Sequence, residues 1–165
     1  MAYQYIVCDP DKCVGCGLCE FACSAVKHEV FDPLLSRIRH VRIEPIVMMS
    51  ISCRMCEDPP CVIACPRQAL SQSAETGVIL IDDDKCDGCG WCIQACPFGT
   101  ILLNSQTKVV EICDLCQDED EPQCVKYCLK DALTLSTPQV VAQKARLDVV
   151  TRLLQELLGQ ESATA

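Results

Sequence analysis

Aromatic residues are scarce: the 165-residue chain holds one Trp, three Tyr and three Phe. With so few large rings there is little material for a conventional apolar interior. Histidine is scarcer still, with only His28 and His40, and both read as surface residues rather than ligands. There is no phosphate-binding loop and no nucleotide-binding glycine fingerprint, so no constellation for substrate chemistry is visible. No apolar run is long enough to span a bilayer, which argues against direct membrane insertion. The start, Met1-Ala2-Tyr3-Gln4-Tyr5-Ile6, has no basic segment followed by an apolar stretch. A signal peptide is therefore not expected, and the setting reads as reducing and cytoplasmic. Positive charge is also in deficit, with 14 Lys and Arg against 23 Asp and Glu, a formal charge of −9. Such a surface repels nucleic acid and anionic lipid, and favours basic patches on partner proteins.

What the chain has in excess is cysteine, 17 in all. Sixteen of them form four motifs, each closing on a Cys-x-x-x-Cys step. The first is Cys13-x-x-Cys16-x-x-Cys19-x-x-x-Cys23, and the third repeats it as Cys86-x-x-Cys89-x-x-Cys92-x-x-x-Cys96. The second is Cys53-x-x-Cys56-x4-Cys61-x-x-x-Cys65, and the fourth Cys113-x-x-Cys116-x7-Cys124-x-x-x-Cys128. Three cysteines on a short loop can grip three corners of an iron–sulfur cubane, while the displaced fourth serves a neighbour. Sixteen thiolates, four to a cluster, predict four 4Fe–4S centres. Metal coordination must then supply much of the folding free energy. Bound centres would make the molecule still more acidic, by about two charges each.

The best internal repeat aligns Asp11-Lys12-Cys13-Val14-Gly15-Cys16-Gly17-Leu18-Cys19 with Asp84-Lys85-Cys86-Asp87-Gly88-Cys89-Gly90-Trp91-Cys92. Both continue to Ala-Cys, at Ala22-Cys23 and Ala95-Cys96. Glycine suits a backbone that wraps a cubane, because the wrapping visits conformations closed to residues with a Cβ. Short β-branched runs flank the loops: 5–8, 78–81, 100–103, 109–112 and 132–135, each suited to a small strand. The residues after each fourth cysteine, such as Pro66-Arg67-Gln68-Ala69-Leu70, suit one helical turn starting at proline. Strand, loop, short helix and strand make an α+β plan.

Cys86-x-x-Cys89-x-x-Cys92-x-x-x-Cys96-Pro97 resembles the bacterial ferredoxin motif, intact to its proline. The four-motif succession over residues 3 to about 135 resembles the polyferredoxin electron-transfer subunits of larger oxidoreductases. Cys23 and Cys128 are followed by Ser24 and Leu129, where the pattern has proline. The resemblance implies two nested ferredoxin-like dicluster modules within residues 1–136. The inner would span about 46–104, and the outer about 3–30 with 105–136. Twenty residues separate Cys65 from Cys86, a spacing that itself suits a two-cluster ferredoxin inside an outer pair. Carried over, one centre takes Cys13, Cys16, Cys19 and Cys128, and its outer partner Cys113, Cys116, Cys124 and Cys23. The inner pair takes Cys53, Cys56, Cys61 with Cys96, and Cys86, Cys89, Cys92 with Cys65. The implied function is a non-catalytic relay between a catalytic oxidoreductase subunit and a flavin/NAD-binding subunit or ferredoxin. A tungsten- or molybdenum-dependent aldehyde oxidoreductase or formate dehydrogenase is the favoured partner, with carbon monoxide dehydrogenase or hydrogenase as the alternative.

The competing reading of another class is a zinc-organised interaction module, although zinc ribbons pair two well-separated Cys-x-x-Cys knuckles. The seventeenth cysteine, Cys8, reads as a buried inert thiol. Trp91 either shields the adjacent centre or packs ordinarily, with Val14 and Leu18 in matching roles in the first loop. Arg37, Arg39 and Arg42 form a basic stripe that would dock a partner, lie near a centre, or edge a solvated strand. The run Asp118-Glu119-Asp120-Glu121 reads as a solvated loop or a docking patch. From residue 137 to 165 the pattern changes to a helical tail. Thr137 is its N-cap, Pro138 its first residue and Gly159 its stop. Leu147, Val150, Leu154, Leu157 and Leu158 recur at helical spacing, which makes this amphipathic tail a surface for docking, self-association or packing back on the body.

Overall fold

The computed structural model describes residues 3–43 and 47–161, with side chains as far as Leu158. Met1 and Ala2, the expected start of the inner module near residue 46, and the last four residues of the tail lie outside the described residues.

The architecture is α+β and ferredoxin-like, with small elements strung between cysteine loops. Among the described residues, four two-stranded antiparallel ribbons account for the strands. The first and last strands, β1 (Tyr5–Cys8) and β8 (Leu133–Ser136), pair with Ile6 opposite Leu135. This ribbon ties the first motif to the fourth across more than a hundred residues of sequence. Between them lie the hairpins β4–β5 (Leu70–Gln72, Ile79–Ile81) and β6–β7 (Leu102–Leu103, Val110–Glu111). The remaining hairpin, β2–β3 (Arg39–Ile43, Val47–Ile51), lies between the first and second motifs. The strand runs expected from sequence are present, shortened at 78–81, 100–103 and 109–112, while β4 and the inserted hairpin lie outside those runs.

The helices sit elsewhere than expected. α1 (Leu18–His28), α2 (Pro60–Ile63), α3 (Trp91–Ala95) and α4 (Gln123–Lys126) each begin within two residues of a third cysteine and lead to, or past, the fourth. Four residues make about one helical turn, so the Cys-x-x-x-Cys step itself encodes the element. The proline after the fourth cysteine does not start a helix. Pro66 opens a tight turn in which Gln68 adopts φ +52°. Proline at the first helical position belongs instead to Pro60 of α2, where its missing N–H costs nothing. α1 packs on α4, and α2 on α3.

The interior alternates sulfur with aliphatic side chains. Ile38, Val78 and Val110 are fully buried among Ile6, Ile79, Ile112 and the cysteines. The tail forms α5 (Pro138–Glu161), capped as expected: Thr137 Oγ1 accepts from Val140 N–H at 3.4 Å. Gly159 does not stop it. A single glycine costs a helix only about 1 kcal/mol, and α5 runs on to Glu161. Val141 touches the core, whereas Leu147, Val150, Leu154, Leu157 and Leu158 stand exposed. The tail therefore does not pack its apolar stripe back on the body. Among the described residues no helix is long and apolar enough to cross a membrane.

Candidate metal centres

Three cavities of similar size are each lined by four cysteines. The first, about 370 Å³, is walled by Cys13, Cys16, Cys19 and Cys128. The second, about 350 Å³, has Cys53, Cys56, Cys61 and Cys96; the third, about 300 Å³, has Cys65, Cys86, Cys89 and Cys92. The remaining four, Cys23, Cys113, Cys116 and Cys124, are all buried. They form a fourth group in which burial, and then the charges of neighbouring thiols, push Cys113 and Cys124 well above the ordinary thiol range. In each group, three cysteines come from one loop and the fourth from the motif whose helix packs alongside.

This arrangement fits a cage rather than an ion. Among the described residues, no three His, Cys, Asp or Glu side chains converge closely enough to hold one metal ion. Zinc at about 2.3 Å from each sulfur would require such convergence. Thiols spaced around a cavity suit the four corners of a cubane.

Burial dominates the thiol acidities. It pushes Cys61 up to about 12, with the Cys53 and Cys96 charges adding to it. Cys19, Cys53, Cys56, Cys92 and Cys116 are raised in the same way, burial first. Cys96 goes the other way. Burial raises it, but the N–H groups of Thr100, Phe98 and Gly99 and the Thr100 hydroxyl outweigh burial, and its net shift is down. Iron binds thiolate, so loading these sites releases protons and weakens as pH falls.

Each fourth cysteine receives a backbone N–H. Ala69 donates to Cys65 Sγ and Ala132 to Cys128 Sγ, both at 3.3 Å and from four residues on. Thr100 stands in the same relation to Cys96. Cys23 is the exception, because α1 continues five residues beyond it. There Arg37 N–H donates instead, at 3.3 Å. The missing proline after Cys23 thus has a consequence: the helix runs on and a distant amide replaces the local one. Leu129, after Cys128, makes no such difference.

Arg37 also anchors the fourth group electrostatically. Its guanidinium lies 3.2 Å from Glu111 and 3.1 Å from Asp114, beside Cys113. Glu111 also accepts from Asn104 at 2.8 Å and meets His28 Nε2 at 2.8 Å, while Lys27 reaches Asp114 at 2.7 Å. Burial pushes the Glu111 carboxyl up, but Asn104, His28 and Arg37 more than offset it, and the net shift is down. The basic stripe of the sequence is thereby resolved into separate tasks. Arg39 donates to the carbonyls of Pro33 and Leu34, and Arg42 to that of Gly15. Of the acidic run, Asp118 is exposed and meets Lys27 at 3.5 Å. Trp91 is 62% exposed beside Cys92 and does not line the third cavity. Val14 and Leu18 do line the first cavity.

Cys8 is a half-buried thiol beside Cys13, and burial pushes it up to about 11. It accepts from Ser50 N–H at 3.3 Å. His40, like the Glu111-paired His28, is not the surface residue that the sequence suggests. It lines the first cavity, and both its ring nitrogens are buried without a hydrogen-bond partner among the described residues. An unsatisfied buried polar group costs about 1–3 kcal/mol, so its position calls for a reason. No periodicity could have placed it there, since a hairpin brings it from outside the motif.

The loops leave two glycines in sharply different surroundings. A Cβ on Gly88 (φ +67°) would lie 2.3 Å from the Lys108 carbonyl oxygen, whereas one on Gly90 (φ +79°) would meet nothing within 4 Å. Gly90→Ala should therefore cost only the left-handed backbone strain, about 1–2 kcal/mol. Gly88→Ala adds a backbone clash and should cost about 2–4 kcal/mol. Equal bleaching temperatures of the two variants' visible chromophores would contradict this.

Cysteine-lined sites in a ferredoxin-like frame define an iron–sulfur electron carrier. The chain matches the 4Fe–4S dicluster domain family over residues 45–137 and the 4Fe–4S binding domain family over residues 9–24. It is 40% identical to the aliphatic sulfonate oxidoreductase polyferredoxin-like subunit of Pyrococcus furiosus, over 81% of this chain and 78% of that one. It is 35% identical to the thiosulfate reductase electron transfer subunit PhsB of Salmonella typhi, over 79% and 74% of the two chains. The active site complex BamBC of benzoyl coenzyme A reductase includes a chain of the same fold, with TM-score 0.50 at 24% identity, covering 94% of this chain and 98% of that one. The chain belongs to the polyferredoxin-like family of 4Fe–4S electron-transfer subunits of oxidoreductases, a non-catalytic class of subunit.

Proposed function

We propose that this chain holds four 4Fe–4S clusters and relays single electrons for a separate catalytic subunit. The ligand sets are Cys13, Cys16, Cys19 and Cys128; Cys23, Cys113, Cys116 and Cys124; Cys53, Cys56, Cys61 and Cys96; and Cys65, Cys86, Cys89 and Cys92. The grouping of sixteen cysteines into four sets of four is the observation that carries this reading. Bound there, each cluster supplies a one-electron couple whose potential depends on exposure and on hydrogen bonds to sulfur.

The order of the sites favours a wire. The first and fourth exchange Cys23 and Cys128, and the second and third exchange Cys65 and Cys96. The Cys53 charge acting on Cys113 supports a fourth site next to the second, and the order we infer along the molecule is first, fourth, second, third. Cys16 and Cys89, one at each end, are the exposed ligands, while the fourth site is buried throughout. Electrons would enter at one end and leave at the other, with the inner and outer modules as the two halves of the path.

The catalytic partner we favour is a tungsten- or molybdenum-dependent oxidoreductase of the aldehyde or formate class. Electrons would pass to a flavin/NAD-binding subunit or ferredoxin. The exposed apolar residues of α5 supply a surface for that partner or for a second copy. Anaerobic purification tests both levels. We expect about sixteen iron and sixteen acid-labile sulfide atoms per chain, with a companion subunit carrying tungsten or molybdenum. Zinc without sulfide would overturn the relay, and a companion with nickel or iron alone would overturn only the partner.

A further inference from the structure

We propose that His40 donates a hydrogen bond to sulfur of the first centre and raises its potential above that of an otherwise identical site. This deepens the reading that the first cavity holds a 4Fe–4S cluster, and it rests on that reading.

The placement is specific. His40 is the second residue of β2, next to Arg39, and its backbone N–H donates to Glu20 Oε1 on α1 at 2.9 Å. Its ring reaches over the loop between Cys13 and Cys16: a Cβ built on Gly15 would lie 3.2 Å from Nε2. Directly across the ribbon stands Ser50, whose hydroxyl lies 3.2 Å from Cys19 Sγ. The hairpin thus lays two polar side chains against one sulfur-lined cavity. Ser50 has found its sulfur, while the imidazole has no partner on either nitrogen among the described residues.

An imidazole always carries at least one N–H, so it always has a donor to satisfy. The wall around it consists largely of cysteine sulfur and apolar side chains. Anionic sulfur, whether thiolate or bridging sulfide, is the acceptor that such a wall offers once the centre is present. A donor aimed at sulfur favours the more negative, reduced form, and so raises the potential. The repeat sharpens the point, because the third site is built on the matching loop without a histidine. The charged side chains in its wall, Arg67 and Asp87, pair with each other at 3.8 Å on the surface.

The chain's two histidines make the test clean. Full-length protein is produced with 15N-histidine and reduced anaerobically, and pulsed paramagnetic resonance is recorded on its centres. A nitrogen coupling is expected on one centre, the one altered by Cys128→Ser. It should persist in His28→Gln and vanish in His40→Leu. In a redox titration of His40→Leu, that centre's reduced-to-oxidised ratio at fixed ambient potential should fall about tenfold, which is 59 mV for one electron. His40→Gln, which keeps an N–H, should recover part of the shift. A fully loaded wild type without histidine coupling overturns the proposal, even where His40→Leu fails to load. So do unchanged potentials in His40→Leu. Protein devoid of iron and sulfide would instead strike at the underlying reading of the site.

Discussion

Removing iron and inorganic sulfide should abolish the fold outright rather than leave an empty scaffold. Among the described residues every ribbon has only two strands, of two to five residues each, and an isolated pair of that size is marginal in water. The helices that join third and fourth cysteines are mostly of four or five residues, far below the length at which a helix persists alone. The buried aliphatic side chains touch one another largely through cysteines. Domains of ordinary size are stable by only about 5–15 kcal/mol. A single structural metal site can contribute about 10–16 kcal/mol, so losing even one centre rivals the whole net stability. Circular dichroism and hydrogen exchange after anaerobic chelation should show loss of cooperative structure, with α5 at most surviving as fraying helix. A chelated protein that still protected the amides of β1 and β8 would refute this.

Cys128→Ser should damage the site that Cys13, Cys16 and Cys19 line, more than a hundred residues away in sequence. Cys128 borders that cavity, although it follows Cys124 by a single helical turn. Cys124 lies within α4 and Cys128 two residues past its end, where the chain has left the helix. We expect iron content to fall by about a quarter if the site empties, with one paramagnetic signal lost or converted and three retained. Loss at the centre of Cys113, Cys116 and Cys124 would mean that each motif keeps its own fourth ligand, and the wire order would fail with it. Cys8→Ser is the comparison variant: its thiol, pushed up by burial, accepts from the Ser50 N–H and sits beside Cys13 but belongs to none of the four ligand sets, so all four signals should remain.

Legibility in the sequence followed the range of the interaction. Cys-x-x-Cys-x-x-Cys is a local constraint: three thiols within seven residues must share one loop, whatever surrounds them. The small strands were readable for the same reason. Pro66 suggests a helical turn after the fourth cysteine, whereas the helix forms one step earlier, on the way from Cys61 to Cys65, a spacing that is itself a turn of helix. Gly159 suggests a stop because glycine so often ends helices, yet α5 continues through it to Glu161. Arg37 illustrates the opposite limit. Its neighbours in sequence suggested a stripe, but Glu111 and Asp114 reach it only through the packing of β7 and the fourth loop against α1.

The chemistry of this protein, thiolate sulfur presented in threes for iron–sulfur cages, was settled within its motifs, because ligand spacing on a short loop is a property of a few consecutive bonds. The company each loop keeps was decided by folding. Pairing of β1 with β8 and packing of α1 on α4 carry a distant fourth cysteine to each outer site, and an inserted hairpin carries His40 and Ser50 to one of them. Such meetings depend on which surfaces bury one another, and no local run of residues encodes that.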